Sequence, residues 1–396
     1  MKDLREDIDS ILPSLIELRH ELHAHPELGY QEHETARRLL DRLEKLPGVV
    51  IRTGVAETGI VATLGTDKSG PCIALRADMD ALPIQEETGR HYASQNAGCM
   101  HACGHDGHMT CLIGAATVLA GRADELKGPV KFIFQPAEEG GAGGKRMYQE
   151  GALKDPPVDA IFALHAWPTL EAGTLAIRPG PIMAHVTDFE ITVHGAGTHA
   201  AMPHRGIDTI LVASHVVVAL QSIAARNTDP TDSAVVTVGT FNAGTATNII
   251  PPVARLRGTI RALTNKTKVA TKERLRQIAE QTAAAYRGRA EVEFIPLYPG
   301  LSNDPAAAGF VAEVAYDVLG AQAVIADEPP TLGGEDFAFY ARSIPAAFWW
   351  LGVRPKGAET YPGLHQPTFD FNDDVIALGV RLHCEMALRF AASWGK

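Results

Sequence analysis

The 396-residue chain is short of several things, and each shortage closes a class of function. It has five cysteines, Cys72, Cys99, Cys103, Cys111 and Cys384, an odd and sparse count that argues against a disulfide framework. It has no excess of basic charge: its formal net charge is −11, the wrong sign for a nucleic-acid footprint. No uninterrupted apolar run reaches membrane-spanning length. The charged opening Asp3-Leu4-Arg5-Glu6-Asp7 lacks the apolar stretch and cleavage site of a signal peptide, so a cytoplasmic location and no membrane partner are expected. There is no G-x-S-x-G nucleophile elbow. The glycine run Gly140 to Gly144 falls short of a phosphate loop, because Glu139 holds the first glycine position and Arg146 the Ser/Thr position.

The residues that remain describe a globular α/β protein. Leu4, Ile8, Ile11, Leu12, Leu15, Ile16, Leu18 and Leu22 recur at helical spacing until Pro26. Ala36, Leu39, Leu40 and Leu43 stripe a second helix. Short apolar runs then alternate with helical patterns: 72–77, 130–134, 160–164 and 346–351. That order predicts a largely parallel, doubly covered sheet. Functional groups in such sheets collect beyond the carboxyl ends of strands. Asp80, Glu138, Glu139 and His165 each fall just after an apolar run. From 187 to 298 the rhythm changes to β-α-β-β-α-β, the pattern of a ferredoxin-like module. A domain inserted at 187–298 is therefore expected, with the α/β domain formed by 1–186 and 299–396.

The segment Gly98-Cys99-Met100-His101-Ala102-Cys103-Gly104-His105-Asp106-Gly107-His108 packs two thiols and three imidazoles into eleven residues. These are ligand types that zinc and related ions prefer. The bland reading is a closed structural zinc knot of Cys99, Cys103, His105 and His108. Against it stand Glu138-Glu139 and His165 at strand ends, since a catalytic site draws ligands from several elements. Paired glutamates have a use there. One carboxylate binds metal, and its neighbour takes a proton from the attacking water and returns it to the leaving nitrogen. His101 and His108 read equally well as support for the ligands or as turn residues. His20, His23, His25 and His33 read as helix or turn histidines, and no HExxH pattern is present. Cys72, Cys111 and Cys384 read as buried small hydrophobes.

Four motifs carry a family resemblance: Leu75-Arg76-Ala77-Asp78-Met79-Asp80-Ala81-Leu82-Pro83, Met100-His101-Ala102-Cys103-Gly104-His105-Asp106, Gln135-Pro136-Ala137-Glu138-Glu139-Gly140 and Gly333-Gly334-Glu335-Asp336-Phe337. In this order they resemble the M20 metallopeptidases. More narrowly, they are similar to the amidohydrolase branch of hippurate hydrolase, the aminoacylases and the indole-acetyl-amino-acid hydrolases. The resemblance implies two divalent ions (zinc, manganese, cobalt or nickel) held by Cys103, His105, Glu139, His165 and His365. It implies Glu138 as general base and Asp80 as the aspartate orienting active-site groups. The inserted domain becomes a lid or dimerisation domain in a homodimer. Its His199 stabilises the oxyanion, commonly across the dimer, and Asn248 and Arg261 bind the substrate carboxylate. The chain departs from the expected motifs at Ala196, Thr198 and Gln366. The implied activity is hydrolysis of N-acyl-L-amino acids. The alternatives are N-acetyl-diaminopimelate deacetylation, a dipeptidase or carboxypeptidase or, outside the enzymes, a zinc-stabilised binding protein.

Overall fold

A computed structural model describes residues 3–394. The chain forms two units, one of Met1–Gly180, Ser302–Pro329 and Asp336–Lys396, the other of Pro181–Leu301 and Pro330–Glu335. Each has its own sheet and its own core.

In the first unit, helices α1 (Arg5–Ala24) and α2 (His33–Leu43) precede strands β1 (Val50–Val55), β2 (Gly59–Leu64) and β3 (Ile73–Asp78). Helix α3 (His105–Gly121), β4 (Val130–Gln135), α4 (Gly143–Gln149), β5 (Ala160–Glu171) and β6 (Leu175–Ala176) follow. The chain returns to this unit later with the Ala346–Arg354 strand and the Ile376–Ser393 helix. β3 runs parallel to β4 and β5, and β5 runs parallel to the Ala346–Arg354 strand. All six residues of β3 and of β4 are buried, as expected where both faces of parallel strands are covered.

The eight-stranded sheet is mixed, and this corrects the expectation of a largely parallel one. The hairpin β1–β2 lies antiparallel on β4, and β6 lies antiparallel to the Ala346–Arg354 strand. The sequence reading passed over β1 because it is an edge strand with mostly exposed residues. It therefore carries neither a continuous apolar run nor a clean alternation.

Helix α3 shows almost no amphipathic stripe because almost all of it is buried. It packs on β3 and is covered by α1 and the Ile376–Ser393 helix. Two glycines make its entry possible. Gly104 caps it at φ +87°, a left-handed conformation that glycine adopts without steric cost. At Gly107 a Cβ would sit 2.3 Å from the Phe371 ring. The motif spacing thus serves a tight helix start that delivers His105, Asp106 and His108 directly below the carboxyl end of β3.

The second unit holds an antiparallel four-stranded sheet ordered Ala234–Ala243, Val253–Ala262, His185–His194, Arg289–Pro296. With helices Thr209–Leu220 and Asn265–Ala285, its chain order is the expected β-α-β-β-α-β. Thr209–Asn227 is apolar and long enough to meet a membrane-span criterion. Its Val212, Ala213, Val216 and Leu220 nevertheless lie in the unit's core, with Ile191, Leu256 and Leu275.

Candidate active site

The loops after β3, β4 and β5 and the start of α3 supply the site. Just past β3, the Asp80 carboxylate is buried and accepts two consecutive backbone N–H groups, Glu138 at 2.9 Å on Oδ1 and Glu139 at 2.8 Å on Oδ2. Its own carbonyl accepts the Nδ1–H of His105 at 2.7 Å. One aspartate therefore ties the β4 loop to the start of α3. Ala137 precedes the two glutamates at φ +52°, and its N–H donates to Glu32 Oε1 at 2.9 Å. A left-handed alanine is costly and persists where its surroundings hold it. Here it turns the chain so that three successive amides point into carboxylates.

The histidines sort by what their second nitrogens do. His105 spends Nδ1 on Asp80, and its Nε2 is buried without a hydrogen-bond partner. His165 spends Nδ1 on the Ala166 carbonyl at 2.8 Å, and its Nε2 lies 3.5 Å from Cys103 Sγ. His105 leaves Nε2 bare and His165 turns its Nε2 to the Cys103 thiol, the arrangement of ligating histidines whose tautomers are fixed from behind. His108 is different. It accepts the Ala166 N–H on Nε2 at 2.8 Å and donates from Nδ1 to Asp78 Oδ1 at 2.6 Å. With neither nitrogen free, His108 cannot close a local zinc knot. It grips the N–H of Ala166, the residue whose carbonyl orients His165.

His365 enters from the C-terminal part of the chain at φ +63°, its N–H on the Ala102 carbonyl at 2.8 Å. Its Nε2 is 3.0 Å from Glu139 Oε1. Donor atoms of Cys103, Glu139 and His365 lie within 4.8 Å of one another, as do those of His105, Glu138 and Glu139. All five residues read as ligands from the sequence thus converge, with Glu138 beside them. Glu138 is buried and accepts the Asp336 N–H at 3.4 Å.

Charge in the cluster is unbalanced. Burial, with Glu139, Glu138 and Asp78 nearby, pushes the Cys103 thiol well above its ordinary range. Burial lowers His105, but Asp78, Asp80 and Glu139 more than offset it and carry the imidazole up to about 10. Burial drives His165 well below the usual range, with His108 adding to it. Burial raises the Glu139 carboxyl, and the His365 hydrogen bond and the His105 charge bring it below its ordinary value. Anionic donors gathered around bare imidazole nitrogens call for a cation. A thiolate, imidazoles and a carboxylate suit zinc and the neighbouring divalent ions.

A second buried network lies under the site, and sequence reasoning missed it. His23, read as an ordinary helix histidine, is fully buried on α1. It donates from Nδ1 to Asp106 at 2.8 Å and from Nε2 to Glu86 at 3.2 Å. Arg19 reaches the same Asp106 at 3.3 Å and Asp370 at 2.8 Å. The available signal was Arg19 and His23 standing four apart among the apolar positions of α1. Cys72, Cys111 and Cys384 are buried free thiols, as expected.

The remaining three candidates lie in the second unit, and one copy of the chain does not bring them together. The short pairing of His199 with Ile249 and the Ala200 N–H on the Asn248 carbonyl hold His199 and Asn248 side by side. They sit near the end of the sheet where Val253 pairs with His194, through the Gly195 N–H on the Pro252 carbonyl. Arg261 pairs with Val186 at the opposite end. Eight residues of extended strand separate Val253 from Arg261, about 26 Å.

The chain is similar to known proteins along nearly its whole length. The chain is 40% identical over 374 residues to N-acetylcysteine deacetylase of Bacillus subtilis (strain 168), covering 94% of this chain and 96% of that one. It is 41% identical over 380 residues to IAA-amino acid hydrolase ILR1-like 4 of Arabidopsis thaliana, covering 95% and 85%. The crystal structure of the Bacillus subtilis YxeP protein, a dinuclear metal-binding M20 peptidase, matches with a TM-score of 0.84 at 36% identity, covering 97% of this chain and 99% of that one. Residues 74–389 match the model of peptidase family M20/M25/M40, and the chain belongs to that family.

Proposed function

We propose that the protein hydrolyses the amide bond of N-acyl-L-amino acids, using two divalent ions per chain. The observation that carries this is the Asp80 clamp. Two adjacent glutamates are fixed by their backbone, one turned to the ligand group and one buried beside it. The relatives named for N-acetylcysteine deacetylation and IAA-amino acid hydrolysis support the substrate class.

In this reading Cys103, His105, Glu139, His165 and His365 hold the ions. The Cys103 sulfur neighbours His165 as well as Glu139 and His365, so a bound ion there would draw on all of them. Bound there, divalent ions supply Lewis acidity for the amide carbonyl and make water more acidic. Glu138 takes the proton of the attacking water and delivers it to the departing nitrogen. Asp80 holds Glu138 and Glu139 in register, and Asp78 with His108 holds the Ala166 peptide behind His165.

His199 donates to the developing oxyanion, and Asn248 and Arg261 bind the substrate carboxylate, Arg261 through its forked donors. Because Arg261 and the His199–Asn248 pair stand at opposite ends of one sheet, a single substrate meets all three in a homodimer that lends one set across its axis. Ile210, Leu211 and Val218, exposed on the Thr209–Leu220 helix, and the edge strand Ala234–Ala243 offer a surface for such pairing.

The test is a hydrolysis panel of N-acyl-L-amino acids with zinc, manganese, cobalt or nickel, beside N-acetyl-diaminopimelate and free dipeptides. Release of the free amino acid from N-acyl monocarboxylic amino acids supports the reading. Turnover confined to dipeptides or to the diaminopimelate derivative contradicts it.

A further inference from the structure

The glycine run from Gly140 to Gly144, which fails as a phosphate loop, belongs to a turn whose two ends touch. The turn joins β4, ending at Gln135, to α4, starting at Gly143, and it carries Glu138 and Glu139. Ala137 and Ala142 are both left-handed within it, at φ +52° and +53°, a conformation that persists where the surroundings hold it. The Gly143 N–H donates to the Ala137 carbonyl at 3.1 Å. A Cβ on Gly143 would lie 1.7 Å from the Pro136 carbonyl oxygen, and one on Gly144 would lie 2.9 Å from Gln135 Oε1. Side chains there would force the ends of the turn apart.

Asp336 fastens those ends together. Its carboxylate is fully buried. Oδ1 accepts from Gln135 Nε2, just before the turn, at 2.7 Å, and Oδ2 accepts the Gly144 N–H, just after it, at 2.7 Å. Oδ1 also accepts from Arg76 Nη2 at 3.1 Å. Arg76 lies on β3, equally buried, and donates from Nη1 to Asp78 Oδ2 at 2.7 Å and from Nε to Gln135 Oε1 at 3.0 Å. A buried guanidinium thus sits between two buried carboxylates, and such charge-assisted bonds are stronger than neutral ones. The Asp336 N–H meanwhile reaches Glu138 Oε1 at 3.4 Å. One residue holds the turn at both ends and touches the carboxylate that the turn carries.

We infer that Asp336 is a positioning residue for the Glu138 carboxylate, held in place by Arg76. The inference rests on the amide-hydrolase reading above. Asp80 fixes the backbone N–H of Glu138. A pinned amide does not aim a glutamate carboxylate, because several side-chain torsions lie between the two. The Asp336 N–H acts on the carboxylate itself, and the Asp336 side chain keeps that N–H in register with the turn. A misplacement of about 1 Å at a reacting group can cost on the order of a hundredfold in rate. Loosening Asp336 therefore reaches the reaction through Glu138.

The experiment is a double-mutant cycle of Asp336→Asn with Glu138→Gln, read by single-turnover hydrolysis of an N-acyl-L-amino acid. Asp336→Asn keeps the size and sets an amide N–H against groups that donate to it. Alone it is expected to slow the reaction ~10–100-fold, with KM changed less than about twofold. In the Glu138→Gln background it is expected to cost less than about threefold, because its effect passes through a base already removed. Equal losses in both backgrounds, or a full rate in folded Asp336→Asn, overturn the positioning role and leave the amide-hydrolase reading intact. A wild type that hydrolyses no N-acyl amino acid overturns both. Hydrogen exchange on the metal-free protein gives a readout apart from activity. Asp336→Asn is expected to speed exchange over residues 136–144 by about tenfold and to leave α1 and α3 unchanged. A uniform increase overturns the proposal. Should Asp336→Asn fail to fold, Gly144→Ala decides, since its Cβ presses on Gln135 and Asp336 while its N–H remains. The same non-additivity with Glu138→Gln is expected, and additive losses overturn the proposal.

Discussion

The Asp80 carboxylate accepts the backbone N–H of Glu139 at 2.8 Å, and the same carboxylate takes the N–H of Glu138 at 2.9 Å. A side chain after β3 therefore fixes the backbone of both glutamates after β4. Asp80→Asn keeps the size and removes one of the two acceptors. Supporting partners of this kind typically change activity or metal affinity ~10–100-fold. The expected result is a fall of that order in kcat with a smaller change in KM and an unaltered circular dichroism spectrum. An unchanged kcat contradicts the positioning role.

His108 offers a second test away from the reacting atoms. His108→Ala strands the Ala166 N–H and removes the donor to Asp78 Oδ1, while Arg76 stays on Oδ2. A buried donor left unpaired costs roughly 1–3 kcal/mol, and metal affinity should fall ~10–100-fold. A chelator competition reads the affinity and a urea melt reads the stability. His108→Gln, which can both donate and accept, should recover part of each. If His108→Ala binds metal as tightly as the wild type, the Ala166 peptide does not set His165.

The His23 network makes stability depend on pH. Asp106 and Glu86 accept from its two nitrogens, Arg19 shares Asp106, and Tyr92 lies edge-on. Burial lowers the His23 pKa, and Asp106 and Glu86 overcome this to hold it at about 9 against an ordinary 6.5. A folded-state pKa raised in this way gives stability that is whole below about pH 6.5 and is lost as the pH climbs through 9, on the order of 3 kcal/mol. Urea melts from pH 6 to 10 should show the gap between wild type and His23→Gln closing as pH rises. A gap independent of pH contradicts the ion pair.

How far these features were legible in the sequence depended on what each residue needed from the fold. Glu138, Glu139 and His165 follow apolar strands, so the rule about strand ends found them. Cys103 and His105 stood out by ligand type. His365 carries no local signal, because a chain running away from its ligand site for two hundred residues returns only through the fold. It came from the family resemblance alone. His108 was ambiguous for a similar reason: a ligand and a ligand's support look alike until the second nitrogen has a partner. β1 escaped because an exposed edge strand writes little periodicity, and with its hairpin partner β2, buried but short, the antiparallel side of the sheet was missed. The separation of Arg261 from His199 is a matter of strand register, which motifs do not encode.

That separation gives a test of the dimer. His199→Ala and Arg261→Ala should each be nearly inactive alone. Mixed and re-equilibrated, they form heterodimers in which one of two sites has both residues intact, so activity should return to about a quarter of wild type under random pairing. A mixture as inactive as its parts, with exchange verified, contradicts sharing across the axis.

Metal removal separates an enzyme from a zinc-stabilised binding protein. Prolonged dialysis against a chelator should abolish hydrolysis, and added divalent ion should restore it. Elemental analysis of the restored protein should approach two ions per chain. A single tightly held ion with no hydrolysis under any metal would favour the binding protein.

The central claim is that Glu138 moves the proton while its neighbour holds the metal. Glu138→Gln tests it most directly, with single-turnover rate and metal content measured on the same sample. The account predicts wild-type metal content and a rate reduced by at least ~10²–10⁴-fold, the usual worth of a positioned acid–base group. A variant that keeps its metal and turns over at close to the wild-type rate would contradict it.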